Sequence, residues 1–195
     1  QSITIAQPSV LEVILEANNN EVTLGSEVDL SATIISNGID LQPIQWNPEE
    51  GLEFTSANNT DATAFPIQDQ VYQVTVTDIN GCTASDELLV QVNESVSIYI
   101  PNVFRQDLNE TSENRFMKIY AGTSILSIDN VQIYDRWGSV INEVRNLAPN
   151  IQGTIVWDGT LKAKEANSGV YIYRVAYTLL TGQSGILLGD VTLLR

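Results

Sequence analysis

The chain has 195 residues, 43% of them hydrophobic, and carries a formal net charge of −15 with one cysteine and no histidine. That length suits one or two domains with packed cores, and the lone Cys82 excludes an intramolecular disulfide. Without histidine there is no His-based catalytic triad, and a zinc site would need carboxylates alone, so neither a metal nor a cofactor is expected.

The charge is divided unevenly. Residues 1–96 hold fifteen carboxylates and no Lys or Arg, whereas residues 97–195 hold nine of each sign. Such a break marks a domain boundary near residue 96, and the acidic half repels phosphates, which argues against nucleic-acid binding. No apolar run reaches membrane-spanning length, so the chain is not expected to cross a bilayer by itself. The only Met is Met117 and residues 1–9 lack a leader's charged start and apolar stretch, which leads to the expectation of a processed product or a fragment.

In chain order, residues 1–9 (ending in Gln7-Pro8-Ser9) read as the tail of a preceding repeat. From there the chain alternates apolar and polar residues with frequent turn signals, which predicts an all-β protein. Val28–Ile34 alternates, and Val71–Thr77 alternates so that Tyr72, Val74 and Val76 form a buried face. Asp78-Ile79-Asn80-Gly81 predicts a hairpin turn, because Asn-Gly tolerates positive φ, and a return strand runs from Thr83 to Val92. Trp46 is placed to anchor a sandwich core. Residues 10–96 resemble an immunoglobulin-like or PKD-like module of bacterial surface proteins. Cys82 follows the turn without a cysteine partner and is expected to be a small buried or half-buried thiol.

After the polar linker Asn93–Val96, residues 97–195 carry five motifs. The first is Pro101-Asn102-Val103-Phe104. Next comes Asp135-Arg136-Trp137-Gly138, between two alternating runs, which predicts a hairpin with Gly138 in left-handed backbone. Trp137 is expected to fold back over the sheet and Arg136 to stack on an aromatic ring. Trp157-Asp158-Gly159 joins an apolar anchor to an Asp-Gly turn, in which Asp158 accepts from backbone amides. Ser168–Tyr173 opens a strand whose Tyr171, Tyr173, Val175, Tyr177 and Leu179 share one face and whose Val170, Ile172, Arg174, Ala176 and Thr178 share the other. Apolarity on both faces suits a central strand or a partner surface. The closing run Gly189-Asp190-Val191-Thr192-Leu193-Leu194-Arg195 ends a strand from Ile186 that is also apolar on both sides and is expected to leave an edge able to pair with another chain.

These motifs, in this order, resemble the gliding-motility-associated C-terminal domain of the Bacteroidetes, a type B sorting signal of the type IX secretion system. The resemblance covers residues 97–195. It implies two tandem Ig-like antiparallel β-sandwiches (10–96 and 97–195), export through the periplasm and outer membrane to the cell surface, and an adhesin-like, gliding-associated parent protein. The implied partners are the translocon and an outer-membrane β-barrel of the PorP/SprF kind. The implied contact residues are Arg136, Trp137 and Gly138 in the hairpin and Gly189, Asp190, Val191, Thr192, Leu193, Leu194 and Arg195 at the end, although turn-locking ranks ahead of receptor contact for Arg136 and Trp137. One element departs from the family: the segment from Arg105 to Arg115 lacks the glycines of the usual acidic loop, so no calcium site is carried over.

Two rival functions remain. A carbohydrate- or protein-binding module would use Trp46, Phe54, Phe65 and Tyr72 on an exposed sheet. An enzyme would use the carboxylate pairs Glu49-Glu50 or Asp86-Glu87, but neighbours on a strand face opposite ways and do not converge.

Overall fold

The computed structural model describes residues 10–36, 38–106, 113–162 and 164–195. The expected tail of a preceding repeat at 1–9 and most of the altered loop at 105–115 therefore lie outside the described residues. The chain is all-β and folds as two compact units that meet between Asn93 and Glu94.

The first unit contains β1 (Glu12–Ala17), β2 (Glu21–Thr23), β3 (Val28–Ile35), β4 (Gln45–Asn47), β5 (Leu52–Phe54), β6 (Asp61–Ala64), β7 (Gln70–Thr77) and β8 (Thr83–Asn93). They form two four-stranded sheets, ordered β1-β3-β6-β5 and β2-β8-β7-β4. Alternation sets which side chains go inside. Val28, Leu30 and Ala32 from one sheet and Tyr72, Val74 and Val76 from the other are all buried in one core. Trp46 lies in that core, 6.3 Å from the Phe54 ring centroid, and its indole N–H donates to the Asn59 carbonyl at 2.8 Å. A buried indole needs such a partner.

The second unit contains β9 (Ile98–Tyr99), β10 (Val103–Arg105), β11 (Met117–Ala121), β12 (Ile125–Tyr134), β13 (Val140–Leu147), β14 (Thr154–Trp157), β15 (Thr160–Leu161), β16 (Lys164–Glu165), β17 (Gly169–Leu179) and β18 (Ser184–Leu194). A five-stranded sheet ordered β10-β18-β17-β12-β13 and a three-stranded sheet ordered β14-β11-β9 supply the core, while β15 and β16 form a small ribbon. Val131, Ile133, Val175, Val191 and Leu193 from the larger sheet and Met117, Ile119, Val156 and Trp157 from the smaller are buried. Trp157 stacks edge-on against Phe104 at 5.4 Å and Tyr171 at 4.7 Å, so one indole joins β14 to both β10 and β17.

Both units close in the same way. The first strand pairs in one sheet, and the chain then crosses to the other sheet and lies parallel to the end of the last strand. β1 pairs β3 and β2 then pairs β8 over Gln91–Asn93; β9 pairs β11 and β10 then pairs β18 over Thr192–Leu194. In the second unit the crossing passes through Pro101, which has no N–H to give to a ladder.

Two glycines of β18 serve packing rather than turning. Tyr173 pairs with Gly189 and Tyr177 with Gly185, and a Cβ added at either glycine would fall on the hydroxyl end of the facing ring. The tyrosines thus lie flat over glycines on the inner face. A Gly189→Ala variant is expected to lose about 1–3 kcal/mol of stability by urea titration through overpacking. Burial raises the Tyr72 and Tyr173 phenols above 10.0, the latter helped by Asp190. For an acid raised in the folded state, the unfolded chain releases its proton first. Stability should therefore hold below about pH 10 and fall as pH climbs above it, as denaturant midpoints across pH 8–11 will report.

Candidate functional site

Loop Asp135–Ser139 joins β12 to β13 beyond the Tyr134–Val140 pair. The Asp135 N–H donates to the Ser139 carbonyl and the Gly138 N–H to the Asp135 carbonyl, both at 3.0 Å. The Asp135 carboxylate accepts from the amides of Trp137 and Ser139, each at 2.9 Å. Gly138 has φ 83°, the left-handed conformation that closes a type I turn with a bulge. The Arg136 guanidinium stacks on an aromatic ring as expected, 5.2 Å from the Trp137 centroid. Trp137 departs from expectation: it does not fold over the sheet but stands 80% exposed. The turn is already held by Asp135 and Gly138, so the indole has no packing duty.

The first unit repeats this loop. The Asp78 N–H donates to the Cys82 carbonyl at 2.9 Å, and the Asp78 carboxylate accepts from the amides of Asn80 and Cys82 at 2.8 and 2.9 Å. Only Gly81 takes positive φ, at 86°, so the Asp-x-x-Gly spacing rather than the Asn-Gly pair makes the turn. Cys82 is exposed, contrary to the expected buried thiol, because it sits in the loop beyond the last core pair. A third copy of the backbone pattern joins β17 to β18, with the Leu179 N–H donating to Gln183 at 2.8 Å and Gly182 at φ 83°. The signal missed in reading the sequence was the aspartate three residues before Gly81 and Gly138.

The closing run divides by face. Val191 and Leu193 are fully buried and Gly189 faces inward beneath Tyr173, so these three side chains support the fold. Asp190, Thr192 and Leu194 face outward. Arg195 bonds Glu165, the Ala166 carbonyl and, at 3.4 Å, Gln106. Its guanidinium therefore fastens the chain end to the β15–β16 ribbon. Tyr171 sits between the two groups of candidate residues: burial raises its phenol, while Arg136 and Arg195 pull it down and Asp135 pushes it up. The fold thus brings the Arg136 hairpin and Arg195, distant in sequence, to one end of the five-stranded sheet. Asp158 accepts from the Thr160 amide and hydroxyl at 2.9 and 2.7 Å, the turn-starting role read from its position.

The outer face of the sheet is split. On β12 and β13, Glu143 accepts from Asn130, Gln132 and Arg145 at 3.0, 3.1 and 2.9 Å, and these bonds, Asn130 first, hold its carboxyl below the usual range. On β17 and β18 the same face shows Val170, Ile172, Ile186 and Leu188, all more than half exposed, interleaved with Thr192, Asp190, Ala176 and Arg174, which stand opposite them in that order. A sheet facing water normally shows more polar residues than this. The free edge expected along Ile186–Leu194 is narrowed: β10 covers β18 from Thr192 to Leu194. In the first unit, Trp46 and Tyr72 are buried in the core, which removes them as a ligand platform, while Phe65 is exposed. Asp86 turns inward, accepting from the Leu15 amide at 2.8 Å, whereas Glu87 is exposed, so that pair does not converge.

Residues 98–187 match the family model of the CHU_C type IX secretion signal domain. The second unit is a type IX secretion signal domain. Such a signal domain implies export to the cell surface or the extracellular space across the outer membrane and contact with the secretion machinery. No helix among the described residues is long and apolar enough to cross a membrane.

No curated protein matches the chain. Among solved structures, dimeric latent PorU from Porphyromonas gingivalis is similar over 97% of this chain and 20% of its own, at 14% identity and TM-score 0.35. This chain thus spans about a fifth of that protein. The three N-terminal domains of the bacteriophage RB49 outer capsid protein Hoc are similar over 94% of this chain and 59% of theirs, at 14% identity and TM-score 0.36. The fibronectin(III)-like modules of Clostridium thermocellum CbhA are similar over 93% of both chains, at 16% identity and TM-score 0.33. Identities this low leave function to be read from the residues.

The hairpin geometry separates two roles inside the signal domain. Asp135→Ala should cost about 0.5–2 kcal/mol by removing two hydrogen bonds, whereas Trp137→Ala should stay within about 0.5 kcal/mol. Thermal unfolding of the two variants checks the difference.

Proposed function

We propose that residues 94–195 are a folded export ticket, read by a PorP/SprF-type outer-membrane barrel, at the end of an adhesin-like, gliding-associated surface protein. The observation that carries this reading is the set of four exposed apolar side chains, Val170, Ile172, Ile186 and Leu188, on the outer face of β17 and β18. Within the closing run, Gly189, Val191 and Leu193 hold that surface up from the inside, while Asp190, Thr192 and Leu194 share the outer face, Asp190 and Thr192 supplying polar groups opposite Ile172 and Val170.

Recognition of a surface rather than a linear tag follows from where the motifs fall. Phe104, Trp157 and Tyr171 meet only in the fold, as an aromatic column between β10, β14 and β17. A peptide cut from the end would present none of it. Trp137 and Arg136, exposed at the hairpin tip, are the side chains freest to touch the receptor. The chain is proposed to catalyse nothing: its paired carboxylates diverge, and Asp78, Asp135 and Asp158 are occupied by turn amides.

Deletion of Gly189–Arg195 from a fused reporter should leave the reporter in the periplasm. Normal delivery of that truncated fusion to the surface would refute the sorting role. The companion variant Trp137→Ala, which leaves the fold intact, should lower delivery severalfold if the hairpin touches the receptor, as surface labelling of intact cells will show.

A further inference from the structure

The last strand of each unit is flanked on one side by only a three-residue parallel partner, and the remainder of that side has no strand among the described residues. In β18 the Thr192 N–H points outward, to the Asn102 carbonyl at 2.8 Å. Since outward and inward backbone groups alternate along an antiparallel strand, Ile186, Leu188 and Asp190 also turn their N–H and C=O groups to the open side. Their side chains lie on the outer face, with Ile186 57% and Leu188 65% exposed. In β8 the Gln91 N–H points outward to Asn20 at 2.8 Å, so the corresponding residues are Ser85, Glu87 and Leu89.

The two edges are guarded differently. In the first unit Glu87 places a charge at the centre of the open stretch, and the inward Asp86 ties the gap by accepting the Leu15 amide at 2.8 Å. Charges at and under an edge are the usual defence against strand addition. In the second unit Leu188 stands where Glu87 stands, and Leu187 stands where Asp86 stands, counted back from the start of each parallel pairing. The inward guard is absent, and the outward charge, Asp190, stands beside the parallel pairing, where the first unit has Leu89, rather than at the centre of the open stretch. A groove of about 270 Å³, lined by Val96, Tyr177, Leu179 and Gly185, opens at the hairpin end of the same strand.

We propose that the open edge of β18, Ile186 to Asp190, takes an extended segment of a partner protein by strand addition. The unpaired backbone groups, spaced two residues apart, match another strand and no other element. Residues directly opposite across a ladder share a face, so the partner must set apolar side chains against Ile186 and Leu188. A second copy of this chain is the poorer occupant, because two such edges paired antiparallel about Leu188 would set each Asp190 against an Ile186, a charge against an apolar side chain. This inference rests on the export reading and names the element of the signal domain that the machinery grips.

The test uses the full chain fused to a fluorescent reporter in a bacterium with a type IX system. Leu188→Lys restores the missing edge charge, and Leu188→Pro removes an outward N–H that β17 does not use. Ile155→Lys, an exposed position on β14 in the other sheet, is the control. The two edge variants should reach the surface at least tenfold less than the parent, the control should match the parent, and the purified chains should unfold at the parent's temperature. Should the proline variant unfold, the lysine variant alone decides. Parental delivery of a folded edge variant overturns the edge and leaves the export reading intact; failure of the unaltered chain to reach the surface overturns the export reading and the edge with it. A parent dimer that Leu188→Lys turns into a monomer without loss of export overturns the partner in favour of a second copy.

Discussion

Each unit depends on how its first strand is shared between two sheets. A strand that stayed in one sheet would leave the last strand unpaired along its whole outer side. By crossing over, the chain covers the end of the last strand with a parallel partner and still pairs its own start in the opposite sheet. The crossing has to leave a gap, because the residues between the two pairings cannot be in both sheets. In the second unit Pro101 sits in that crossing, and its missing N–H suits a residue that belongs to neither ladder. The gap is where the two units part. One fills it with an inward aspartate and an exposed glutamate, and the other centres it on Ile186 and Leu188, with Asp190 at the end beside the parallel pairing.

The long antiparallel hairpins hold the rest in place by a common device. Asp78, Asp135 and Leu179 begin loops of identical backbone pattern, each closed by a left-handed glycine. In two of the three the aspartate side chain supplies acceptors for amides that the turn strands, which fixes register locally. Because β12 with β13 and β17 with β18 are set by such turns, the outer face is decided in advance. A slip of one residue would send Ile186 and Leu188 inside and expose Val191 and Leu193.

Much of this was legible in residue order. The alternation of Val71–Thr77 placed Tyr72, Val74 and Val76 in a core, and they are there. The aromatic face of β17 was read correctly, as was the left-handed Gly138. Three readings failed for want of tertiary context. Trp137 is as apolar as Trp157, yet one is a turn ornament in water and the other the centre of an aromatic column; only the position of facing strands separates them. Cys82 was assigned by residue type rather than by its place in a loop. The free edge was read along the whole strand from Ile186 to Leu194, whereas β10 covers its last three residues.

The sequence by itself determined that this is an all-β chain, where its strands turn, and which side of most strands faces a core, because period-two alternation and Asp-x-x-Gly turns act between near neighbours. Only the tertiary structure decided that Gly185 and Gly189 lie under tyrosines, that Arg195 fastens to Glu165, and that the open edge falls at Ile186–Asp190. Each of those depends on strands far apart in the chain meeting in a particular register, and no local pattern specifies which strand will lie on the other side.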